Sequence, residues 1–332
     1  MPELRQNIIT GDWVVIAPER AKRPNDFVFP ESVKVTKKGE CPFCIDSPGY
    51  KANEEVRKAK TEHFYVIENK FPAFVEDETK SEIRSFYPEK NFYRARPSVG
   101  DHEVVVYNNH EKSLITMPKK HLAEMFEVIQ MRCIAIEKEK GVASIMPIYN
   151  HGALAGASID HPHAQIFASG IIANTVGREM DGAEKYFDIN GICVFCDIIK
   201  HEIKEKVRLV YENDEFIAFT SYAARFPMET WVMPKAHESQ FEETSKTSLE
   251  AFADVVNEVV VRLNQNIPNV PLNFYIHTLP TTLDDSASYH WHLEVVPRIA
   301  NYGGYELGSG VIIDIMSPEK AAEYLRKPSK NK

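Results

Sequence analysis

The sequence predicts an α+β fold made of two pseudo-symmetric domains, each an antiparallel sheet with a packed helix. Two observations lead to this prediction. The same features occur twice in the same order: a Cys-x-x-Cys pair, strand-like stretches, an isolated His, an amphipathic helix and a closing His-x-His. The chain also has 332 residues, 43% of them apolar, which is enough for two ordinary globular domains.

The repeated features appear at similar intervals in both halves. The strand-like stretches are 64–69, 102–110 and 145–149 in the first half, and 208–213, 229–237 and 273–276 in the second. Apolar residues at helical spacing predict helices over 122–136 and 249–263, and 318–327 is expected to be a closing helix. Cys133 lies on the apolar face of the first helix and is expected to be a core thiol. We therefore expect domains at 1–185 and 186–332, joined by the polar stretch around 177–191.

The charge balance excludes one class of function. The formal net charge is -9, whereas sequence-independent binding of nucleic acid needs a basic surface. The N-terminus has no apolar signal core, and no stretch approaches the run of about 18 apolar residues expected of a membrane helix. We expect a cytoplasmic protein that binds neither membranes nor nucleic acid.

Each half offers two Cys and two His in matching order, the ligand types that tetrahedral zinc prefers. The intervals between the two His agree, with 51 positions from His110 to His161 and 53 from His237 to His290. Four protein ligands leave no open position for a catalytic water, so both sites are expected to be structural. The predicted zinc sites are Cys41, Cys44, His110 and His161, and Cys193, Cys196, His237 and His290. A redox role is disfavoured, because neither Cys pair obviously opens a helix after a strand.

The candidate chemistry lies in residues 150–165. If 161–167 is a strand, His161, His163 and Gln165 point to one face, and a metal at His161 would hold His163 in place. A neutral imidazole is a good nucleophile toward phosphorus, and Gln165 can donate to a phosphoryl oxygen. The small-residue loop 152–158 would let backbone N–H groups approach a phosphate. The alternative is a structural histidine in a Gly turn.

The motif His161-Pro-His163-Ala-Gln165, with Asn150, Gly156 and Ser158 upstream, resembles the galactose-1-phosphate uridylyltransferase family of the histidine-triad superfamily. The similarity extends nearly from end to end, from 13–24 to 226–237. The resemblance implies that His163 is the nucleophile and that Asn150, Ser158 and Gln165 contact phosphate. It also implies phosphate binding by Arg20 and Arg23, which could otherwise be solvated charges, and a homodimer.

The chain departs from typical members near its C-terminus. Those members have a Lys before the Gly-Tyr-Glu segment and a Gln after it, both contacting the hexose phosphate. Here Gly304 and Glu306 are present without that Lys or Gln, and the run 303–310 looks more like the ADP-glucose phosphorylase branch. Glycine N–H groups there could hold a phosphate.

A second departure concerns metal binding. Some family members bind iron in the second half through three His and a Glu. His277, His290, His292 and Glu179 could supply that set, but we assign His290 to the second zinc site and treat Glu179 and His277 as ordinary polar residues.

The resulting expectation is transfer of a nucleoside monophosphate between a nucleotide sugar and a hexose 1-phosphate, through His163. One alternative is phosphorolysis of an ADP-sugar, with inorganic phosphate as the acceptor. Another is a nucleotide sensor with two structural zincs and no turnover, although a sensor needs no nucleophile. His292 occupies the repeat position of His163, but Glu294 stands where the first half has Gln165. Since a carboxylate repels a phosphoryl group, we do not expect His292 to be a second nucleophile.

Overall fold

The computed structural model describes residues 1–22, 39–45, 47–53, 57–76, 93 and 97–327. Its helices are α1 Pro48–Asn53, α2 Lys119–Ile136, α3 Asn174–Asn190, α4 Val194–Glu205, α5 Lys246–Asn266, α6 Gly304–Ser309 and α7 Pro318–Arg326. Its strands are β1 Glu3–Gln6, β2 Trp13–Ile16, β3 Arg57–Lys60, β4 Phe64–Glu68, β5 Gly100–Tyr107, β6 Ser144–His151, β7 His163–Ser169, β8 Leu209–Glu212, β9 Phe216–Thr220, β10 Thr230–Pro234, β11 Leu272–His277, β12 His292–Pro297 and β13 Ile312–Asp314.

Ten strands form one continuous sheet in the order β3-β4-β5-β7-β6-β11-β12-β10-β9-β8. Read outward from its centre, each half of this order repeats the other, with β6 equivalent to β11, β7 to β12 and β5 to β10. The halves meet where β6 pairs antiparallel with β11, for example Asn150 opposite Asn273. The expected pseudo-symmetry is confirmed, and the two sheets are fused edge to edge.

One face of this sheet carries the main core. Helices α2 and α5 lie across it, one on each half, and their apolar residues pack on inward-facing strand residues such as Val105, Ile166 and Val295. Phe126 of α2 and Phe252 of α5 bring the two helices together, with ring centroids 4.5 Å apart. Ser245 begins α5 by accepting the Ser248 N–H at its side-chain oxygen, which satisfies one of the unpaired donors of the first turn.

The opposite face differs between the halves. In the first half it carries a small cluster around Cys41, Tyr65 and Val106. In the second half it is covered by α3 and α4, which pack through residues such as Val176 and Phe195. The histidine-bearing face of β12 is therefore beneath two helices.

A second, three-stranded sheet, β1-β2-β13, joins the two ends of the chain. β2 pairs antiparallel with β1 and parallel with β13. Arg5 of β1 contacts Glu319 of α7 through two hydrogen bonds, at 2.8 and 3.0 Å. This sheet brings the 3-10 segment Pro18–Lys22 and the short helix α6 into the same part of the molecule.

The predicted helices over 122–136, 249–263 and 318–327 are present as α2, α5 and α7. The proposed domain boundary at 185/186 falls inside α3 and remains a proposal. The strand expected over 161–167 begins at His163, so His161 immediately precedes it. None of the helices in the described ranges is both long enough and apolar enough to cross a membrane.

Candidate functional site

His163 is the first residue of β7 and is only 7% exposed. Its Nδ1 lies 2.7 Å from the backbone oxygen of His161. Because a carbonyl can only accept, Nδ1 carries the proton and Nε2 carries the lone pair. Burial lowers the pKa of His163, although the bond to His161 opposes this shift. The imidazole is thus neutral near pH 7, with its nucleophilic atom defined.

Gln165 shares a face with His163, because side chains two apart on a strand point the same way. Its Oε1 lies 3.0 Å from Nε2 of His102 on the neighbouring strand β5. Asn150, at the end of β6, accepts a 2.7 Å hydrogen bond at Oδ1 from Asn273 of β11. Both amides are half-buried and leave their NH₂ groups for a substrate.

The loop 152–158 is a tight turn around a 3-10 segment, Ala153–Ala155. Gly152 and Gly156 have φ of 83° and 87°, a left-handed conformation that favours glycine. The N–H groups of Ala155, Gly156 and Ala157 are donated to carbonyls within this loop. Only the remaining backbone N–H groups of the turn, next to the exposed Ser158, are therefore left to bind a phosphate.

The four Cys and His residues predicted for the first site converge. Nδ1 of His161 lies 3.5 Å from the Cys41 sulfur and 3.7 Å from that of Cys44. Nδ1 of His110 lies 3.2 Å from the Cys44 sulfur and 3.1 Å from His161 Nδ1. Burial lowers the pKa of His161 to about 4, and its Nε2–H is donated to the Tyr107 carbonyl. Both properties leave the neutral Nδ1 directed at the thiols.

The second group repeats this arrangement. Nδ1 of His237 and of His290 lie 3.4 and 3.7 Å from the Cys196 sulfur. Their Nε2–H groups are donated to the carbonyls of Ser286 and Pro234, each at 3.0 Å. A hydrogen bond from the Cys196 thiol is the main cause that lowers the pKa of Cys193 to about 7. The same contact raises the pKa of Cys196 to about 11, so Cys193 is the sulfur that more readily reaches the thiolate form that a metal requires.

These distances fit a tetrahedral ion. With sulfur about 2.3 Å and nitrogen about 2.0–2.1 Å from the metal, tetrahedral angles separate sulfur from nitrogen by roughly 3.5 Å and two nitrogens by roughly 3.3 Å. In each group all four ligand atoms lie within 4.8 Å of one another. Fixed histidine tautomers are typical of metal ligands.

Each Cys pair also brackets a phenylalanine that contacts the first residue of a sheet strand, His163 of β7 or His292 of β12. Phe43 packs edge-on against His163, with ring centroids 5.2 Å apart. Phe195 lies 5.3 Å from His292 in the second half. The second Cys pair does open a helix, since Cys193 is the residue before α4, but α4 follows α3 and not a strand, so the strand-to-helix arrangement of a redox pair is absent here, as expected from the sequence.

A third group differs in one member from the iron set that was considered and set aside, because Glu294 takes the place of His290. Glu179, His277, His292 and Glu294 are each at most 2% exposed, and their ligand atoms also lie within 4.8 Å of one another. Nδ1 of His277 is 3.0 Å from Glu179, and Nε2 of His292 is 3.7 Å from Glu294. Glu179 and His277, which were treated as ordinary polar residues, are instead buried together in a group that could hold a cation.

His292 is completely buried, whereas its repeat equivalent His163 is not. Arg225 pairs with Glu294, the counterpart of Gln165, and also with Glu229. These contacts support the expectation that His292 does not attack a substrate.

Among the residues proposed to contact the phosphates and the sugar, those that the structure describes belong to other elements. Arg20 belongs to the 3-10 segment that follows β2, and Arg23 lies outside the described residues. Gly304 and Glu306 belong to α6, where the Glu306 carboxylate accepts the Gly303 N–H at 2.9 Å. Both segments belong to the part of the molecule built around β2 and β13, so the structure does not group them with His163 by any described contact.

Comparison with known proteins agrees with this architecture. The family model described as galactose-1-phosphate uridyl transferase, N-terminal domain, matches residues 1–173, and that of the C-terminal domain matches 179–330. An Arabidopsis thaliana protein named ADP-glucose phosphorylase is 30% identical, over 99% of this chain and 93% of that protein. A Thermotoga maritima galactose-1-phosphate uridylyltransferase is also 30% identical, over 98% of both chains.

The crystal structure of an Arabidopsis thaliana ADP-glucose phosphorylase with bound ADP-glucose superimposes with a TM-score of 0.83 at 28% identity, covering 100% of both chains. Two family models together span nearly all of this chain, and relatives at 30% identity cover it almost completely. The resemblance expected from the His-Pro-His-x-Gln motif is thereby confirmed: the chain belongs to the galactose-1-phosphate uridylyltransferase family.

Proposed function

We propose that this protein is a nucleotidyltransferase that moves a nucleoside monophosphate from a nucleotide sugar to a hexose 1-phosphate by double displacement through His163. The observation that carries the proposal is the tautomer of His163. Its Nδ1–H is donated to the His161 carbonyl at 2.7 Å, which leaves a neutral Nε2 lone pair on the strand face shared with Gln165.

In the first step Nε2 attacks the α-phosphorus, and the bond from phosphorus to the oxygen of the departing sugar 1-phosphate breaks. In the second step an oxygen of the acceptor sugar 1-phosphate attacks the same phosphorus, and the phosphorus–nitrogen bond breaks. Between the two steps the ring carries a positive charge. The hydrogen bond from Nδ1–H to the His161 carbonyl stabilises that charge. No proton therefore has to leave the histidine.

The surrounding residues would stabilise the charge on phosphorus. The NH₂ groups of Gln165 and Asn150 can donate to its equatorial oxygens, and Ser158 lies at the end of the neighbouring loop. Arg20, Arg23, Gly304 and Glu306 are proposed contacts of the substrate phosphates and sugar. No described contact joins α6 or the 3-10 segment to His163. We therefore propose that these segments contact the substrate through the proposed homodimer.

A second candidate is phosphorolysis of an ADP-sugar, with inorganic phosphate as the acceptor. Two observations favour it: the glycine-rich run 303–310 without a Lys or Gln side chain for a hexose phosphate, and the relative named ADP-glucose phosphorylase at 30% identity. The histidine chemistry is the same in both reactions. Only the base of the nucleotide and the acceptor differ.

We propose that zinc occupies both Cys-containing groups, giving two structural ions per chain. The donor set of two thiols and two imidazoles suits zinc, and the distances between the ligand atoms agree with its tetrahedral bond lengths. Four protein ligands would close each shell, so the ions would organise the protein without contacting the substrate. The group around Glu179 has two carboxylates and two imidazoles, a different donor set.

The test is covalent labelling. The protein is incubated separately with UDP-glucose and ADP-glucose carrying ³²P at the α-phosphate, and we expect acid-labile, alkali-stable label on His163. His163→Asn should abolish the label, while His292→Asn, the same change at the repeat-equivalent position, should retain it. Retained label in His163→Asn, or its loss only in His292→Asn, would refute the assignment.

A panel of acceptors then separates the two reactions. Labelled enzyme is mixed with galactose 1-phosphate, glucose 1-phosphate or inorganic phosphate, and the released nucleotide is identified. Release by a hexose 1-phosphate supports the uridylyltransferase-type reaction, and release of ADP by phosphate supports the phosphorylase. Intersecting double-reciprocal lines in the steady state, with no label, would indicate direct transfer and contradict the double displacement.

A further inference from the structure

The amides of Gln165 and Asn150 raise a question of orientation. An amide can present either its oxygen or its NH₂ group to a substrate, and only the NH₂ group stabilises a phosphoryl oxygen. An amide oxygen turned toward phosphate would repel it. The site therefore depends on whatever fixes the direction of these two side chains.

The direction of Gln165 is fixed by His102 of β5. The backbone N–H of Ala73 is directed at His102 Nδ1 from 3.2 Å. A backbone N–H can only donate, so Nδ1 carries no proton and the ring proton is on Nε2. Nε2 lies 3.0 Å from Gln165 Oε1 and donates to it. The Nδ2 group of Asn69 donates to the same oxygen at 3.5 Å; it lies 3.1 Å from His102 Nε2 without a hydrogen bond to it, because both nitrogens carry protons.

The environment of His102 maintains this state. The ring is 5% exposed and stacks on Phe167 with centroids 3.9 Å apart. Burial lowers the pKa of His102, which keeps the ring neutral. With its oxygen held by His102, Gln165 has only its NH₂ group left to offer the substrate.

The direction of Asn150 is fixed independently, from the other half of the chain. Asn273 of β11 accepts at Oδ1 from Arg298, an obligatory donor, at 3.3 Å. Its Nδ2 donates to the carbonyl of Ala155, an obligatory acceptor, at 2.7 Å. The same Nδ2 donates to Asn150 Oδ1, also at 2.7 Å, so the NH₂ group of Asn150 is likewise left for the substrate.

We infer that His102 and Asn273 are positioning residues for nucleotidyl transfer: each holds the oxygen of one amide, so that Gln165 and Asn150 both present NH₂ to the reacting phosphoryl group. This inference rests on the proposed function and adds two residues to its site. Neither residue touches the substrate. They act through Gln165 and Asn150, and one of the two contributions crosses the seam between the halves.

Single-turnover labelling of His163 with [α-³²P]ADP-glucose and [α-³²P]UDP-glucose tests the inference, read as a limiting rate and a half-saturating concentration. His102→Phe keeps the stacking on Phe167 and removes the donor. We expect it to lower the limiting rate about 10- to 100-fold, with a much smaller change in half-saturation. His102→Gln restores a neutral N–H donor and should recover most of that loss.

The decisive measurement is a double-mutant cycle. If His102 acts through Gln165, then His102→Phe should change the rate less than about threefold when Gln165→Ala is already present. Asn273→Ala is expected to behave in the same way toward Asn150→Ala. His121→Phe, the same change at a half-buried histidine of α2, is the control and should stay near the wild-type rate.

Losses that multiply in the double variants would overturn the inference, because they would show separate action. A wild-type rate in His102→Phe, or no recovery in a folded His102→Gln, would also overturn it while leaving the labelling of His163 intact. If His102→Phe does not fold, as judged by circular dichroism, His102→Gln and Asn273→Ser carry the comparison. Absence of label in the wild type with both nucleotide sugars would instead refute the proposed function, and the inference with it.

Discussion

Replacing Cys41 by Ser should damage both stability and chemistry, whereas the same change at Cys133 should damage stability alone. The two thiols are equally buried, each at 0% exposure. Cys133 lies on the apolar face of α2, and burial holds its pKa well above the usual range, so it is a neutral core thiol. Cys41 belongs to the first proposed metal group. The pair therefore separates the effect of metal binding from that of a lost sulfur.

The expected sizes follow from these environments. Burying a serine hydroxyl in place of the Cys133 sulfur should cost about 1–3 kcal/mol of unfolding free energy. A four-ligand structural zinc contributes about 10–16 kcal/mol in small peptides, so one ligand's equal share is about 2.5–4 kcal/mol. Cys41→Ser, which is expected to lose the ion, loses at least that share in addition to the effect of the polar substitution. We therefore expect its destabilisation to be at least about twice that of Cys133→Ser.

Cys41→Ser should slow the labelling of His163 because the segment from Cys41 to Cys44 supports this nucleophile. Phe43 lies between Cys41 and Cys44 and packs on the ring of His163, and the His161 carbonyl holds its Nδ1–H. A displacement of about 1 Å at a reacting group can lower a rate by roughly 100-fold. Cys193→Ser should also remove one metal, but it should leave the labelling rate nearly unchanged because its phenylalanine packs on His292.

Zinc content by mass spectrometry, urea unfolding and single-turnover labelling measure these effects. The expected zinc contents are two per chain in Cys133→Ser and one in each of Cys41→Ser and Cys193→Ser. The reasoning would be refuted if Cys41→Ser kept two zincs and the wild-type labelling rate. Equal loss of labelling in Cys193→Ser would refute the link between a particular metal group and His163.

Two further predictions concern stability. In α3, a Cβ at Gly182 would lie 1.8 Å from the Ile9 carbonyl oxygen, whereas one at Gly177 would lie 3.7 Å from its nearest neighbour. In urea unfolding, Gly182→Ala should therefore lower the free energy of unfolding by about 1–3 kcal/mol, while Gly177→Ala should raise it by about 0.5–1 kcal/mol. Equal effects of the two variants would contradict this packing. Burial, which outweighs the Arg132 guanidinium, raises the pKa of Glu103 from 4.5 to about 7. The stabilisation that protonated Glu103 provides is complete below pH 4.5 and is lost as the pH rises to about 7, by up to roughly 3 kcal/mol. Glu103→Gln should therefore flatten the pH dependence of the unfolding free energy across this window. An unchanged slope would contradict the assignment.

Much of the site was predictable because its chemistry uses uncommon residue types. Cys and His at matched intervals indicated both metal groups, and alternation along a strand placed Gln165 on the same side as His163. Helices α2 and α5 followed from apolar spacing, whereas α3 and α4 were not predicted. In each case the signal was local or was repeated, so a single sequence contained it.

The features that were missed depend on contacts between distant segments. Glu179 was considered as a metal ligand and set aside, and only the packing of α3 on the sheet shows that it is 2% exposed. Fusion of the halves into one sheet depends on backbone pairing of β6 with β11, which leaves no mark in the side-chain pattern. Helix α3 was not predicted because its sequence is polar, which indicated a stretch that joins the two halves.

The seam between β6 and β11 has a consequence for synthesis of the chain. Until β11 exists, β6 is an unpaired sheet edge, and such edges promote association with other chains. The residues that separate them, from His151 to Leu272, require about 6–25 s to translate at about 5–20 residues per second. During that interval the nascent chain contains the nucleophile but lacks both the cover for its open edge and the asparagine that orients Asn150. The first half of this chain is thus expected to need protection by chaperones on the ribosome, and to acquire its activity only when the second half has docked.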